Sequence, residues 1–368
     1  YCASRCGYCD FNTYTAAELG GGASQASYAR DAIAEIEFAR KVLEGTELPA
    51  HTVFFGGGTP TGRPSAYRAA MLRAIDERFG LAPGAEVTIE ANPEAVDAGS
   101  LSALRQAGFN RVSFGMQSAR PHVLAVLERR HTPGVPQQRV LEARAAGFEH
   151  VNLDLIYGTP GESDDDWRAS LDAAIAASPD HISAYSLIVE DGTRLARQVA
   201  RGDLAAPEDD VLADRYAIAD DALAAAGFAW YEVSNWARPD GQCRHNLAYW
   251  RGDDWWGIGP GAHGHVAGLR WWNVKHPTAY TARVSDGVSP GYAREYLDVE
   301  TQRVERVLLR LRLAEGLDVA ELDDAGRAVL TAEVGSGLLD ADALRHGRAV
   351  LTRPGRLLAD AVVRRLLS

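Results

Sequence analysis

Cys2, Cys6 and Cys9 lie in one short opening stretch, Tyr1 to Phe11, in the spacing C-x-x-x-C-x-x-C. Three thiolates on one loop can hold three irons of a [4Fe-4S] cluster. The remaining cysteine, Cys243, is far away in sequence, so one iron would stay open. A three-cysteine zinc site would want a histidine or fourth cysteine close by, and a disulfide would leave an odd cysteine. Tyr8 would shield the loop from solvent in any of these uses.

The other candidates depend on secondary structure for their placement, and the hydrophobic pattern supplies it. Apolar Ala29, Ile33, Ile36 and Leu43 recur at helical spacing, which predicts an amphipathic helix from Ser24 to Leu43. His51 to Phe55 reads as a strand ending in Gly56-Gly-Gly-Thr-Pro60. Strands then recur at 86–90, 111–115, 150–156 and 181–187, with helices at 99–107, 121–127, 134–146 and 164–177. This cadence implies parallel strands joined by right-handed crossovers. Ala107-Gly-Phe109, Ala146-Gly-Phe148 and Ala226-Gly-Phe228 each close a helix with glycine and open a strand.

In such a sheet the loops after the strands form the site. Glu90, Gln117, Arg129 and Asp154 all fall there, as does the glycine loop, whose backbone can approach a ligand closely or can simply turn. Beyond 230 the texture changes, and seven of the eight tryptophans lie between Trp230 and Trp272. That stretch holds Cys243 and His245-Asn-Leu-Ala-Tyr-Trp250. Gly257 to Ala262 lacks the βαβ setting of a dinucleotide fingerprint and carries Pro260, so it is expected as a loop closing over the site. From Thr301 the chain reads as helical, with a hairpin at 349–358.

At 368 residues and 46% hydrophobic composition the chain can build one large α/β core and a smaller appendage. The net charge of −12 argues against nucleic acid and anionic membranes as partners. No apolar run approaches the roughly 18 residues of a membrane span. Few cysteines, three on one loop, argue for a reducing cytoplasm.

The cysteine spacing resembles the signature of the radical S-adenosylmethionine (SAM) superfamily, in which SAM chelates the open iron. Together with Gly57, Gly58, Thr59, Glu90, Gln117, Arg129 and Asp154, it is similar to the oxygen-independent coproporphyrinogen III oxidase family over most of the chain. The resemblance implies a partial (β/α)6 radical SAM barrel at 1–229, its first strand missing ahead of Cys2. A Trp-rich extension at 230–297 and a helical, winged-helix-like module at 298–368 would follow, the last a packing or lid unit. It further implies that those seven residues line a SAM pocket, with Glu90 or Asp154 on ribose hydroxyls and Arg129 on the SAM carboxylate.

Two features resemble the heme-chaperone branch of that family rather than its oxidases. Phe11 stands where oxidases have a further cysteine, and 245–250 fits the pattern His-Asn-x-x-Tyr-Trp. The branch implies His245 as an axial heme ligand beside flat aromatic faces, with Cys243 a second ligand or a packing thiol. It implies an unidentified heme-acceptor protein as partner, and membrane contact only through that acceptor. The alternative is oxidative decarboxylation of coproporphyrinogen III by SAM radical chemistry.

Overall fold

The computed structural model describes residues 2, 5–15, 18, 27–62, 65–129 and 131–368. The expected helix start at Ser24 lies outside these described residues. Within them, α1 (Tyr28–Val42) buries Ala29, Ala32, Ile36 and Ala39. The cadence then runs β1 (Ala50–Phe55), α2 (Ser65–Phe79), β2 (Leu81–Ala91), α3 (Ala98–Gln106), β3 (Arg111–Gln117), α4 (Pro121–Val126) and α5 (Val135–Ala145). It continues through β4 (His150–Tyr157), α6 (Asp164–Ala176), β5 (His181–Ser186), α7 (Arg194–Ala200) and α8 (Asp209–Ala225). Helix starts follow side-chain caps: the Asp97 carboxylate accepts from Ser100 N at 2.7 Å, and Ser163 and Asp166 form the equivalent box on α6.

β1 to β5 pair in parallel, in sequence order. The sheet continues antiparallel through β7 (Asn235–Ala237) to β6 (Ala229–Glu232). These five are the parallel strands expected after Cys2, and they curl into a partial barrel. α2, α7 and α8 carry no individual signal in the hydrophobic pattern; they are the crossovers and packing helices that the parallel cadence requires.

Alternation along each strand decides what the two faces do. Val87, Ile89, Val112, Phe114, Val151, Leu153, Leu155 and Ile182 face the helices and share one core with Leu101, Leu104, Phe109, Trp167 and Leu223. The intervening residues are polar: Glu86, Thr88 and Glu90, then Arg111 and Ser113, then Asn152 and Asp154, then His181 and Ser183. The concave face is therefore a polar surface, nearly all of it buried. Burying so many polar groups requires partners: Ser113, Asn152, Asp154 and Ser183 bond among themselves, while Glu86, Arg111 and His181 find partners after residue 230.

Those residues form α9 (Arg244–Arg251), a three-stranded sheet of β8 (His263–Val266), β9 (Leu269–Asn273) and β10 (Gly291–Tyr296), and α10 (Pro277–Ser285). The C-terminal region is helical: α11 (Val299–Arg310), then after β11 (Leu317–Asp318) α12 (Asp324–Gly335) and α13 (Ala341–Arg345), then after β12 (Arg348–Ala349) α14 (Arg353–Leu357) and α15 (Ala359–Leu366). It has its own core of Val307, Leu311, Leu330, Val362 and Leu366. The hairpin expected at 349–358 is not formed. Arg348 and Ala349 pair with β11, and Leu351 makes a single bridge to Leu339. The chain then turns helical, because the Thr352 hydroxyl caps Gly355 N and Pro354 sits in the first turn, where it favours a helix start. Arginines of this region face acids, Arg353 on Asp221 at 2.7 Å and Arg365 on Glu333 among them.

Candidate functional site

The cysteine loop is seated before it meets any ligand. Gly7 N donates to Leu127 O at 3.2 Å, Leu195 N donates to Gly7 O at 2.9 Å, and Tyr8 packs on Val123, Leu127, Ile156 and Leu195. Each of Cys2, Cys6 and Cys9 is half-buried. The residues around them are the ones expected. Thr59 Oγ1 lies 3.8 Å from Cys2 Sγ, and Arg129 Nη1 lies 3.7 Å from Cys6 Sγ. Arg129 also donates to Gly115 O at 3.1 Å, while its buried Nε has no partner.

Glycines shape the strand ends here. A Cβ on Gly115 would stand 2.7 Å from Arg129 and 2.8 Å from Gln117 Nε2, so only glycine lets both side chains fold over the strand. Gln117 is buried and has a left-handed φ of 63°, held at an irregularity in the β3–β4 pairing. Backbone strain of this kind costs about 1–3 kcal/mol and is found where structure serves a site. Gly57 N donates to Glu90 Oε2 at 3.1 Å, and a Cβ on Gly57 would meet nothing within 4 Å. The glycine loop is thus tied to Glu90 on one side and open on the other, with Gly58 half-buried in the same bend.

Glu90 and Asp154 share this end of the face. Burial, then the Asp154 carboxylate, push the Glu90 carboxyl up to about 8, and the Gly57 N–H only partly offsets them. Burial also raises Asp154, although Ser113 Oγ donates to it at 2.7 Å and Asn152 Nδ2 at 2.8 Å. Gly57, Gly58, Thr59, Glu90, Gln117, Arg129 and Asp154 are therefore brought together around the cysteine loop. A cleft of about 700 Å³ lined by Arg5, Leu124, Glu128, Arg129, His131 and Arg194 opens beside them. Glu90 and Asp154 do not line it, so it flanks the strand mouth and is not the mouth itself. The Gly257–Ala262 loop lies alongside: Asn12 Nδ2 donates to Pro260 O at 3.1 Å, and Glu35 on α1 accepts from Gly259 N at 2.8 Å.

His245 is elsewhere on the same face, toward the strand starts and the β1 edge. It opens α9, whose N-terminus rests on a buried carboxylate. Glu86 accepts from Arg244 N at 3.1 Å and His245 N at 3.0 Å, as a carboxylate should at the positive end of a helix. Arg111, 3.6 Å from Glu86 and equally buried, also donates to Gly241 O at 3.0 Å. Cys243 is buried, with Sγ 3.5 Å from Glu86, and burial pushes its thiol up to about 12. Its side chain packs in the interior beside the N-terminus of α9.

The 245–250 segment divides its labour. Asn246 and Trp250 lie on the side of α9 toward the buried Glu232, whose carboxylate they favour. His245 and Tyr249 face the other way. The imidazole stacks on Phe54 at 5.0 Å and 21°, with Nδ1 2.8 Å from Thr52 Oγ1 and Nε2 3.1 Å from the Tyr249 hydroxyl. Tyr249 in turn meets Trp255 edge-on at 4.9 Å. Burial holds the His245 imidazole down to about 4, so it is neutral near pH 7, the form in which imidazole binds metals.

Comparison with known proteins gives this arrangement a family. Residues 1–174 match the Radical SAM superfamily. A Mycobacterium tuberculosis (strain ATCC 25618 / H37Rv) protein named Heme chaperone HemW is 54% identical over 368 residues, which is 100% of this chain and 93% of that protein. The chain belongs to the HemW family. The Bacillus subtilis (strain 168) Heme chaperone HemW is 30% identical over 370 residues, covering 98% of this chain and 96% of its own. Among solved structures, the Escherichia coli coproporphyrinogen III oxidase HemN superposes with a TM-score of 0.83 over 99% of this chain and 87% of its own, at 21% identity, which establishes a shared fold.

The donor set of this HemW-family chain fits a cluster with one open iron. Among the described residues no three His, Cys, Asp or Glu side chains converge on a single ion position, and a cuboidal cluster does not ask for that, because each thiolate binds a different iron. The unpartnered Arg129 Nε and the open side of Gly57 fit a ligand with a carboxylate and an amine. Sequence reasoning missed the supports: Thr52, Phe54, Glu86, Arg111 and Glu232. The signal available for the strand residues was strict alternation, as in Glu86-Val-Thr-Ile-Glu90 and Arg111-Val-Ser113, which sets every second side chain on the concave face.

Proposed function

We propose that this protein is a cytoplasmic heme chaperone that binds one heme through His245 and passes it to an acceptor protein. In the same reading it carries a [4Fe-4S] cluster on Cys2, Cys6 and Cys9, with SAM at the strand mouth. The observation that carries the heme assignment is the setting of His245: a neutral imidazole on an anchored helix, backed by Phe54 and flanked by Tyr249, on a chain whose full-length relatives are named heme chaperones. The position of Phe11, 59% exposed where oxidases have a further cysteine, also favours this reading over coproporphyrinogen decarboxylation.

The chain's own groups would act as follows. The three thiolates would hold the cluster, Arg129 would pair with the SAM carboxylate, the Gly57–Thr59 backbone would meet its amino group, and Glu90 and Asp154 would accept from ribose hydroxyls. Bound SAM and cluster would supply one-electron chemistry. Glu86 holds the N-terminus of α9 while Phe54 backs the imidazole. No helix among the described residues is long and apolar enough to cross a membrane.

Heme titration of the purified protein tests the proposal. A Soret band typical of imidazole ligation should appear and should be lost in His245→Ala, while Cys9→Ala, which removes a cluster ligand, should leave heme uptake largely intact. Conversion of coproporphyrinogen III to protoporphyrinogen IX by the reconstituted protein with SAM and reductant would overturn the chaperone reading in favour of the oxidase.

A further inference from the structure

Both ring nitrogens of His245 are engaged, and they are engaged differently. Nδ1 faces β1 and meets Thr52 Oγ1 at 2.8 Å in a half-buried contact. Nε2 faces outward and meets the Tyr249 hydroxyl at 3.1 Å in an exposed one. α9 is fixed at both ends, by Glu86 at its N-terminus and by Arg310, which donates to Arg251 O at 3.2 Å, at its C-terminus, so the ring stays against the wall and a ligand must come to it. The wall closes the Nδ1 side. The Nε2 side carries the hydroxyl of Tyr249, which is 40% exposed and can rotate about its own side-chain bonds without moving α9.

We infer that Thr52 is the positioning residue of the heme ligand and that Tyr249 is a latch on its iron-facing nitrogen, so that heme enters by displacing one hydrogen bond while the other is kept. A neutral imidazole has one N–H and one lone pair. With Thr52 Oγ1 accepting from Nδ1–H, the lone pair lies on Nε2, where it accepts from the Tyr249 O–H. On loading, that lone pair passes from the hydroxyl to iron, Tyr249 keeps its proton, and no group changes charge. Metal-bound histidines commonly donate their other N–H to such a partner, and loss of the partner weakens metal binding by about 10–100-fold. The latch has a use in a carrier: when heme leaves, the Tyr249 hydroxyl can take back the nitrogen and assist release.

The inference rests on His245 as the axial ligand, and its test separates the two claims. Heme is titrated into the full chain carrying Thr52→Val, Thr52→Ser, Tyr249→Phe or His245→Ala, with Soret absorbance giving affinity and band position, and melting and iron content checking the fold. Thr52→Val should weaken heme binding by about 10-fold or more, and Thr52→Ser, which keeps the hydroxyl, should restore it. Tyr249→Phe should tighten binding by about 3–10-fold, the value of one ordinary hydrogen bond, with the band position unchanged. Weaker binding or a shifted band in Tyr249→Phe would make Tyr249 a ligand and overturn the latch. Wild-type affinity in Thr52→Val would remove the positioning role. If His245→Ala abolishes binding while the other variants behave as wild type, the chaperone reading survives and this inference falls. If His245→Ala binds heme normally, both fall.

Discussion

The two ends of the concave face are built from the same strands and finished to different degrees. Toward the strand starts, charges are matched: Glu86 has Arg111 at 3.6 Å and two backbone N–H groups, and His181 is bonded to Asn152 and to the Tyr231 hydroxyl. Toward the strand ends, burial raises both Glu90 and Asp154, Asp154 raises Glu90 further, and a glycine opens onto free space, while Arg111 at the one end and Arg129 at the other each keep one buried nitrogen without a partner. A matched layer is what a support needs. An unmatched one costs stability unless something else completes it, and that is the mark of a binding site. On the proposed reading, the residues holding His245 support a heme ligand, whereas those around the cysteines contact SAM.

The cysteines put this contrast to its most decisive test. Anaerobic reconstitution of Cys2→Ala, Cys6→Ala or Cys9→Ala should give complete loss of the cluster by iron content and visible absorbance, and Cys243→Ala should reconstitute as wild type. Cluster loss in Cys243→Ala with retention in Cys6→Ala would mean that the two layers had been assigned the wrong way round. Next in size is the matched layer itself. Arg111→Met would leave the buried Glu86 with only the more exposed Arg244, 4.0 Å away, as its cation and should destabilise the protein by about 3 kcal/mol in urea unfolding. It should also reduce heme uptake, because α9 loses the setting of its N-terminus, yet still accept the cluster when folded. Equal damage to both functions would show that the layers are not separable.

How much of this was legible depended on whether a residue's neighbours in sequence are its neighbours in space. The cysteines share a loop, and Glu90, Gln117 and Asp154 mark strand ends that periodicity locates, so their convergence around one mouth could be expected. His245 was legible as part of a six-residue pattern. Its partners were not, because Thr52, Glu86 and Arg111 come from three different strands and lie 134 to 193 positions away, distances at which only the folded register decides contact. The hairpin misread at 349–358 has a local cause. Val350 and Leu351 have strand propensity, but the Thr352 cap and Pro354 override it one residue later. The polar concave face was written in the alternation of β2 to β5, where the intervals between strands drew attention away from what each strand carried on its second side.

The smallest effect expected is also the most direct contrast between the two layers, because it predicts opposite signs for two glutamates on one strand. Glu90 has its carboxyl raised from 4.5 to about 8 in the folded protein. Between these values the folded state keeps a proton that the unfolded state has released, so stability is highest below about pH 4.5 and is lost as pH rises through about 8. Each pH unit between the two values corresponds to about 1.4 kcal/mol, and allowing for the partial exposure of Glu90, about 2–3 kcal/mol should disappear across this window. Glu90→Gln cannot titrate. In the absence of added SAM it should flatten the pH dependence and make the protein more stable than wild type above about pH 8. A residual slope should remain, because Asp154 is raised by the same burial. Glu86→Gln, by contrast, weakens a carboxylate that already has its cation and its two N–H donors, and should destabilise across the whole range. Urea unfolding of both variants at a series of pH values checks the pair. Destabilisation by Glu90→Gln at high pH would mean that the strand-end carboxylate is as fully matched as the lower one, and that the open end of the face is not waiting for a ligand.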